Sequence, residues 1–149
     1  MSQERHLKRL AYVWERSPCY FITVCTRQRR ALLAHEVAHT VLRSEWAGLL
    51  DRHGWMVGRY VIMPDHAHFF VAPVHENQNA LSVVIGRWKE WTAKRLAQGP
   101  IWQPEFFDHL LRSAESRSEK WDYIRENPVR AGLVQRADDW PFSGSVHFE

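Results

Sequence analysis

The chain has 149 residues, 45% of them hydrophobic, with 20 Lys and Arg against 17 Asp and Glu and a formal net charge of +3. That size and apolar fraction suit one compact domain over residues 1–149, whose first 17 residues form a basic tail, and exclude a disordered chain. The basic balance favours an anionic partner. The absence of a long apolar run and of any Cys-x-x-Cys pair points to a reduced, cytoplasmic protein rather than a secreted or membrane-spanning one.

Residues 19–26 are rich in β-branched and aromatic side chains, follow Pro18 and end in a basic turn, which predicts a first strand. Val37, Val41, Leu42, Trp46, Leu49 and Leu50 recur at helical spacing over residues 36–53, and Gly54 stops that helix. Residues 55–63 and 66–72 read as two strands joined across Pro64-Asp65, a tight connection that favours an antiparallel hairpin. A second helix is expected over 80–97, with Leu81, Val84, Ile85, Trp88, Trp91 and Leu96 largely on one side and Gly99-Pro100 closing it. Residues 101–111 read as a short strand interrupted by Pro104. Residues 113–127 read as a third helix, capped by Ser113 and ended by Pro128. The resulting order, β-α-β-β-α-β-α, predicts an α+β fold of the ferredoxin-like kind: an antiparallel sheet with helices packed across it, plus an extra C-terminal helix.

His66-Ala67-His68 opens the third strand. Side chains at i and i+2 of a strand share a face, so the two imidazoles can converge on one divalent metal, while Ala67, Phe69 and Val71 turn toward an apolar layer. On the third helix Lys120, Tyr123 and Asn127 fall on one stripe at three- and four-residue spacing, with Trp121 and Ile124 set to dock the helix. Two imidazoles beside a phenol, an amide and a cation make a candidate phosphoryl-transfer site. Each part has a blander use as well, since a His pair suits a solvated strand face and Asn127 suits a cap before Pro128.

Four blocks carry a family resemblance, in order along the chain: Tyr20-Phe21-Ile22-Thr23-Val24-Cys25-Thr26, Met63-Pro64-Asp65-His66-Ala67-His68, Phe106-Phe107-Asp108-His109-Leu110-Leu111-Arg112, and the run from Trp121-Asp122-Tyr123 through Asn127-Pro128 to Val134. Over roughly residues 18–143 the chain resembles the IS200-like single-tyrosine transposases, and most closely their REP-associated tyrosine transposase branch. The resemblance implies an HUH endonuclease fold in which His66 and His68 hold Mg²⁺ or Mn²⁺ and Tyr123 is the nucleophile. In the wider family a Gln completes the metal shell; the matching position here is Asn127, with Glu119, one turn before Tyr123, as the other oxygen donor.

The implied reaction cleaves and rejoins single-stranded DNA next to a hairpin, a REP-type palindrome, through a 5'-phosphotyrosine. The REP-associated branch implies a monomer, whereas its IS200-like relatives are dimers. Lys120, Arg125 and Arg130 near the tyrosine, and Arg5, Lys8 and Arg9 in the tail, are candidates for DNA phosphates. His109 sits in a family block without a role that chemistry assigns. The alternative is a hairpin-binding regulator that has lost cleavage. A HIT-type hydrolase would need a third His where Phe70 stands, and an amidohydrolase would need a TIM barrel of roughly 250 residues.

Overall fold

A computed structural model of the chain describes residues 18–74 and 79–149. Strands β1 (Cys19–Cys25), β2 (Trp55–Ile62), β3 (His66–Pro73), β4 (Phe107–Leu111) and β5 (Ser143–Ser145) form one antiparallel sheet in the order β4-β1-β3-β2-β5. The first four strands in that order, with a helix after β1 and another after β3, make the expected ferredoxin-like sandwich. β5, short and polar, adds an edge that no periodicity announced.

One sheet face carries the main core. Ile22, Val24, Ala67, Phe69, Val71, Val57, Tyr60 and Ile62 meet Leu42 and Trp46 of α1 (Glu36–Ala47), Leu49 of α2 (Leu49–His53), and Val84, Ile85 and Trp88 of α3 (Leu81–Leu96). The helix expected over 36–53 is divided at Gly48, and Gly54 ends it in the left-handed conformation at φ 71, which glycine adopts at little cost. Trp46 and Trp88 stack at 5.2 Å and 7° between α1 and α3, so part of the tryptophan content serves the core.

The opposite face holds a second cluster of Cys19, Phe21, Val61, Met63, Phe70, Leu111 and Ile124, with Trp121, Trp140 and Phe148 packed against it. Ile124 and Trp121 belong to α4 (Ala114–Ile124), which therefore docks on the face that carries His66 and His68. Ser113 caps it by accepting from Ser116 N at 3.0 Å. The helix expected to run to 127 stops at Ile124, and a separate short helix, α5 (Asn127–Arg130), begins with Pro128 in its first turn. Proline has no N–H to continue the ladder to Ile124, which accounts for the break. Among the described residues no helix is long and apolar enough to cross a membrane.

Candidate active site

The period-two reading of β3 holds: Ala67, Phe69 and Val71 are buried in the main core, and His66 and His68 emerge on the other face, their ring centroids 4.8 Å apart. Each ring is held at Nδ1. His66 Nδ1 lies 2.7 Å from Asp65 Oδ1, and an ionised carboxylate only accepts, so the ring donates from Nδ1. His68 Nδ1 lies 2.8 Å from Thr23 Oγ1, delivered by the Thr23↔His68 pairing of β1 with β3, and the Phe21 ring stacks on it at 5.2 Å and 20°. Anchoring Nδ1 with an oxygen so that Nε2 faces the metal is how metal-binding histidines are usually oriented.

Electrostatics set the charge states of His68 and Asp65. Burial, then the charges of His66, Lys120 and Arg29, push the His68 pKa down to about 3, so the ring is neutral. For Asp65, burial alone would raise the carboxyl, but hydrogen bonds from His66 and Arg29 and their charges bring it below its ordinary value. Arg29 donates from Nε to Asp65 Oδ2 at 3.0 Å and from a terminal nitrogen to Cys25 Sγ at 2.9 Å. Gln28 and Arg29 both take left-handed backbone, φ 56 and 53, a costly conformation for residues with a Cβ, and the turn they form brings the Arg29 guanidinium back to Asp65.

The second half of the site comes from α4 and α5. Lys120 Nζ lies 5.1 Å from the centre of the Phe21 ring, the ring that stacks on His68. Lys120 and Tyr123 line one groove of about 470 Å³ together with His109, Arg112, Ser116 and Glu119. Tyr123 is 65% exposed, which suits a nucleophile that must reach a polymer. Arg130 stacks its guanidinium on the Tyr123 ring at 4.0 Å, donates to the Tyr123 carbonyl at 2.7 Å and also donates to Asn127 Oδ1. Arg130 thus links Tyr123 and Asn127, which belong to the separate helices α4 and α5. Arg125 turns away to pair with Asp138 at 2.7 Å.

The donor set fits a divalent metal in part: two imidazole nitrogens suit Mn²⁺ or Zn²⁺, with oxygen ligands needed to complete the shell. Among the described residues no third His, Cys, Asp or Glu joins the pair in a ready cluster, Glu119 included. Arg5, Lys8 and Arg9 lie outside the described residues. Sequence reasoning did not single out Thr23, Asp65 or Arg29 as supports of the site. Asp65 had a visible signal in standing next to His66, whereas Thr23 required the strand register.

Residues 16–126 match the family described as Transposase IS200 like. The chain is 30% identical over 128 residues to the REP-associated tyrosine transposase of Escherichia coli K12, covering 83% of this chain and 74% of that protein. It superposes on a solved REP-associated tyrosine transposase bound to a REP hairpin with a TM-score of 0.75 and 28% identity, over 85% of this chain and 76% of the other. A Deinococcus radiodurans protein, 17% identical, shares the fold with a TM-score of 0.52 over 72% of this chain and 88% of that one. The matched family and the shared fold place the chain in the transposase class. The chain belongs to the IS200-like transposase family, on its REP-associated tyrosine branch.

Proposed function

We propose that the protein is a metal-dependent endonuclease and strand transferase for single-stranded DNA beside a hairpin, of the REP-palindrome kind that its solved relative binds. The observation that carries this reading is the matched anchoring at Nδ1 of His66 by Asp65 and His68 by Thr23, two rings on one sheet face whose Nε2 atoms are left for a metal. A packed or solvated histidine pair needs no such arrangement. When bound there, Mg²⁺ or Mn²⁺ polarises the scissile phosphate as a Lewis acid, offsetting the poor nucleophilicity of a phenol.

The chain's own groups do the rest. His66 and His68 hold the cation, and Asn127 offers an amide oxygen once it gives up its bond to Arg130. The Tyr123 hydroxyl attacks phosphorus and loses its proton to solvent; the new bond joins Tyr123 to the 5'-phosphate, and the bond that breaks frees a 3'-hydroxyl. Attack by a 3'-hydroxyl on the phosphotyrosine reverses the exchange, so strands rejoin without ATP. Lys120 and Arg130 flank the tyrosine and counter phosphate charge, and Arg125 contributes when its Asp138 pair opens. Arg5, Lys8 and Arg9 are further candidates for DNA phosphates, and the chain acts as a monomer.

The test is incubation of the protein and Tyr123→Phe with labelled single-stranded hairpin DNA and Mn²⁺ or Mg²⁺, resolved on denaturing gels. A covalent adduct that needs both the metal and Tyr123 is the expected result. Tight hairpin binding with no adduct across a range of sequences would instead identify a cleavage-inactive regulator.

A further inference from the structure

Adjacent aromatics at the start of β4 have opposite fates. Phe106 packs against the main core, with the Lys89 ammonium 5.8 Å from its ring, whereas Phe107 is 63% exposed. The register says where Phe107 stands. Thr23 of β1 pairs with His68 on one side and with Phe107 on the other. Directly opposed residues of antiparallel strands project from the same face, so His68, Thr23 and Phe107 form one row across the site face. Phe107 sits two strand spacings, roughly 10 Å, from His68. The next row is Phe70, Phe21 and His109, of which the first two are buried with Lys120 above Phe21, while His109 opens into the groove with Arg112 and Tyr123.

A bare phenyl ring in line with His68, one row from the His109 that opens into the groove with Lys120, Arg112 and Tyr123, matches the needs of one kind of occupant. Every base has a π-face, and the neighbouring cations complement the phosphates that join bases. We propose that Phe107 is the stacking platform for an unpaired nucleobase flanking the scissile phosphate. This rests on the reading of His66, His68 and Tyr123 as a strand-cleaving centre. The role is positional: the platform fixes the strand's path over the site face and is tolerant of base identity.

The experiment places the fluorescent base 2-aminopurine at each unpaired position around the cleavage site of a hairpin substrate and compares the full-length protein with Phe107→Ala, Phe107→Leu and Phe107→Trp. One position is quenched by the parent protein and by Phe107→Trp, and not by the Ala or Leu variants. Phe107→Ala weakens binding of the flanked hairpin by about 5- to 150-fold and leaves binding of the bare stem unchanged. Retained quenching in Phe107→Leu overturns the stacking role. So does conversion of a dimer to a monomer by Phe107→Ala in sedimentation, which would make the residue a protein contact. The Tyr123-dependent adduct separates the two readings: an adduct without Phe107-dependent quenching rejects the platform alone, and quenching without an adduct rejects the cleaving centre alone.

Discussion

Thr23 Oγ1 stands 2.8 Å from His68 Nδ1, joined to it across the β1–β3 pair. Because His68 is neutral and buried, this hydroxyl is the partner that occupies Nδ1 and fixes the orientation of the ring, leaving Nε2 as the other ring nitrogen. Thr23→Val keeps the shape of the side chain and removes the oxygen. It is expected to weaken Mn²⁺ binding by about 10- to 100-fold, with Thr23→Ser close to the parent, by isothermal titration. Equal affinities for Thr23→Val and the parent would remove Thr23 from the site.

Arg130 donates to Asn127 Oδ1, the oxygen that Asn127 would offer a metal on the proposed reading. Removing the guanidinium in Arg130→Ala frees Asn127 Oδ1, so Mn²⁺ affinity rises while adduct formation slows, because the Tyr123 ring loses the cation stacked on it. Adding Asn127→Ala to Arg130→Ala abolishes the gain in affinity. A gain that survives the double substitution and disappears on adding Glu119→Gln instead would assign the third position to Glu119.

How far the sequence spoke depended on the range of the interaction. β1, β2 and β3 were legible because their side chains carry local patterns, and the face shared by His66 and His68 follows from the two-residue strand period alone. The limit of α4 was not legible in the same way, since Arg125 and Glu126 keep right-handed helical angles and the apolar spacing continues past the last helical hydrogen bond. Ser143–Ser145 has no hydrophobic signature, and it pairs because β2 offers an open edge. Thr23 depends on a partner 45 residues away, and the approach of Arg29 to Asp65 on a left-handed turn that no side-chain pattern encodes. Phe106 and Phe107 look alike in the sequence, and only the pairing of β4 with β1 tells which is buried.

The stability of the sheet's other face is separable from the site. Trp46 is fully buried between Trp88, Phe69 and Tyr60, and its indole nitrogen has no hydrogen-bond partner among the described residues. Trp46→Ala is expected to cost about 3–5 kcal/mol in urea unfolding. Trp46→Phe costs less, since it keeps an aromatic ring in place and removes the unpaired donor. Under conditions where the variants are folded, Mn²⁺ affinity stays at the parent value, because the histidines lie across the sheet; a large drop in affinity would show that the main core positions them after all.

His147 ties the C-terminal segment to β2 through a ring that must stay neutral. Its Nδ1 accepts from Val57 N at 2.8 Å, so its Nε2 carries the hydrogen and points at the Ala47 carbonyl 3.2 Å away. Burial holds its pKa below the ordinary 6.5; the Ala47 carbonyl and Asp51 act the other way and Arg43 adds to the depression. As the pH falls below 6.5 the unfolded chain takes up this proton first, so stability present at neutral pH is lost on acidification toward the folded value. His39 and His53, also held low by burial, add to the same slope. Urea midpoints are therefore expected to fall between about pH 7.5 and about pH 5.5, and to fall less in His147→Gln, which cannot titrate there. Protonation would also turn Nδ1 into a donor facing the Val57 N–H, so the C-terminal strand β5 should lose amide protection before β1 and β3 do. Parallel midpoint shifts in the parent and His147→Gln, with β5 protected to the end, would rule out this ring as the acid-sensitive link.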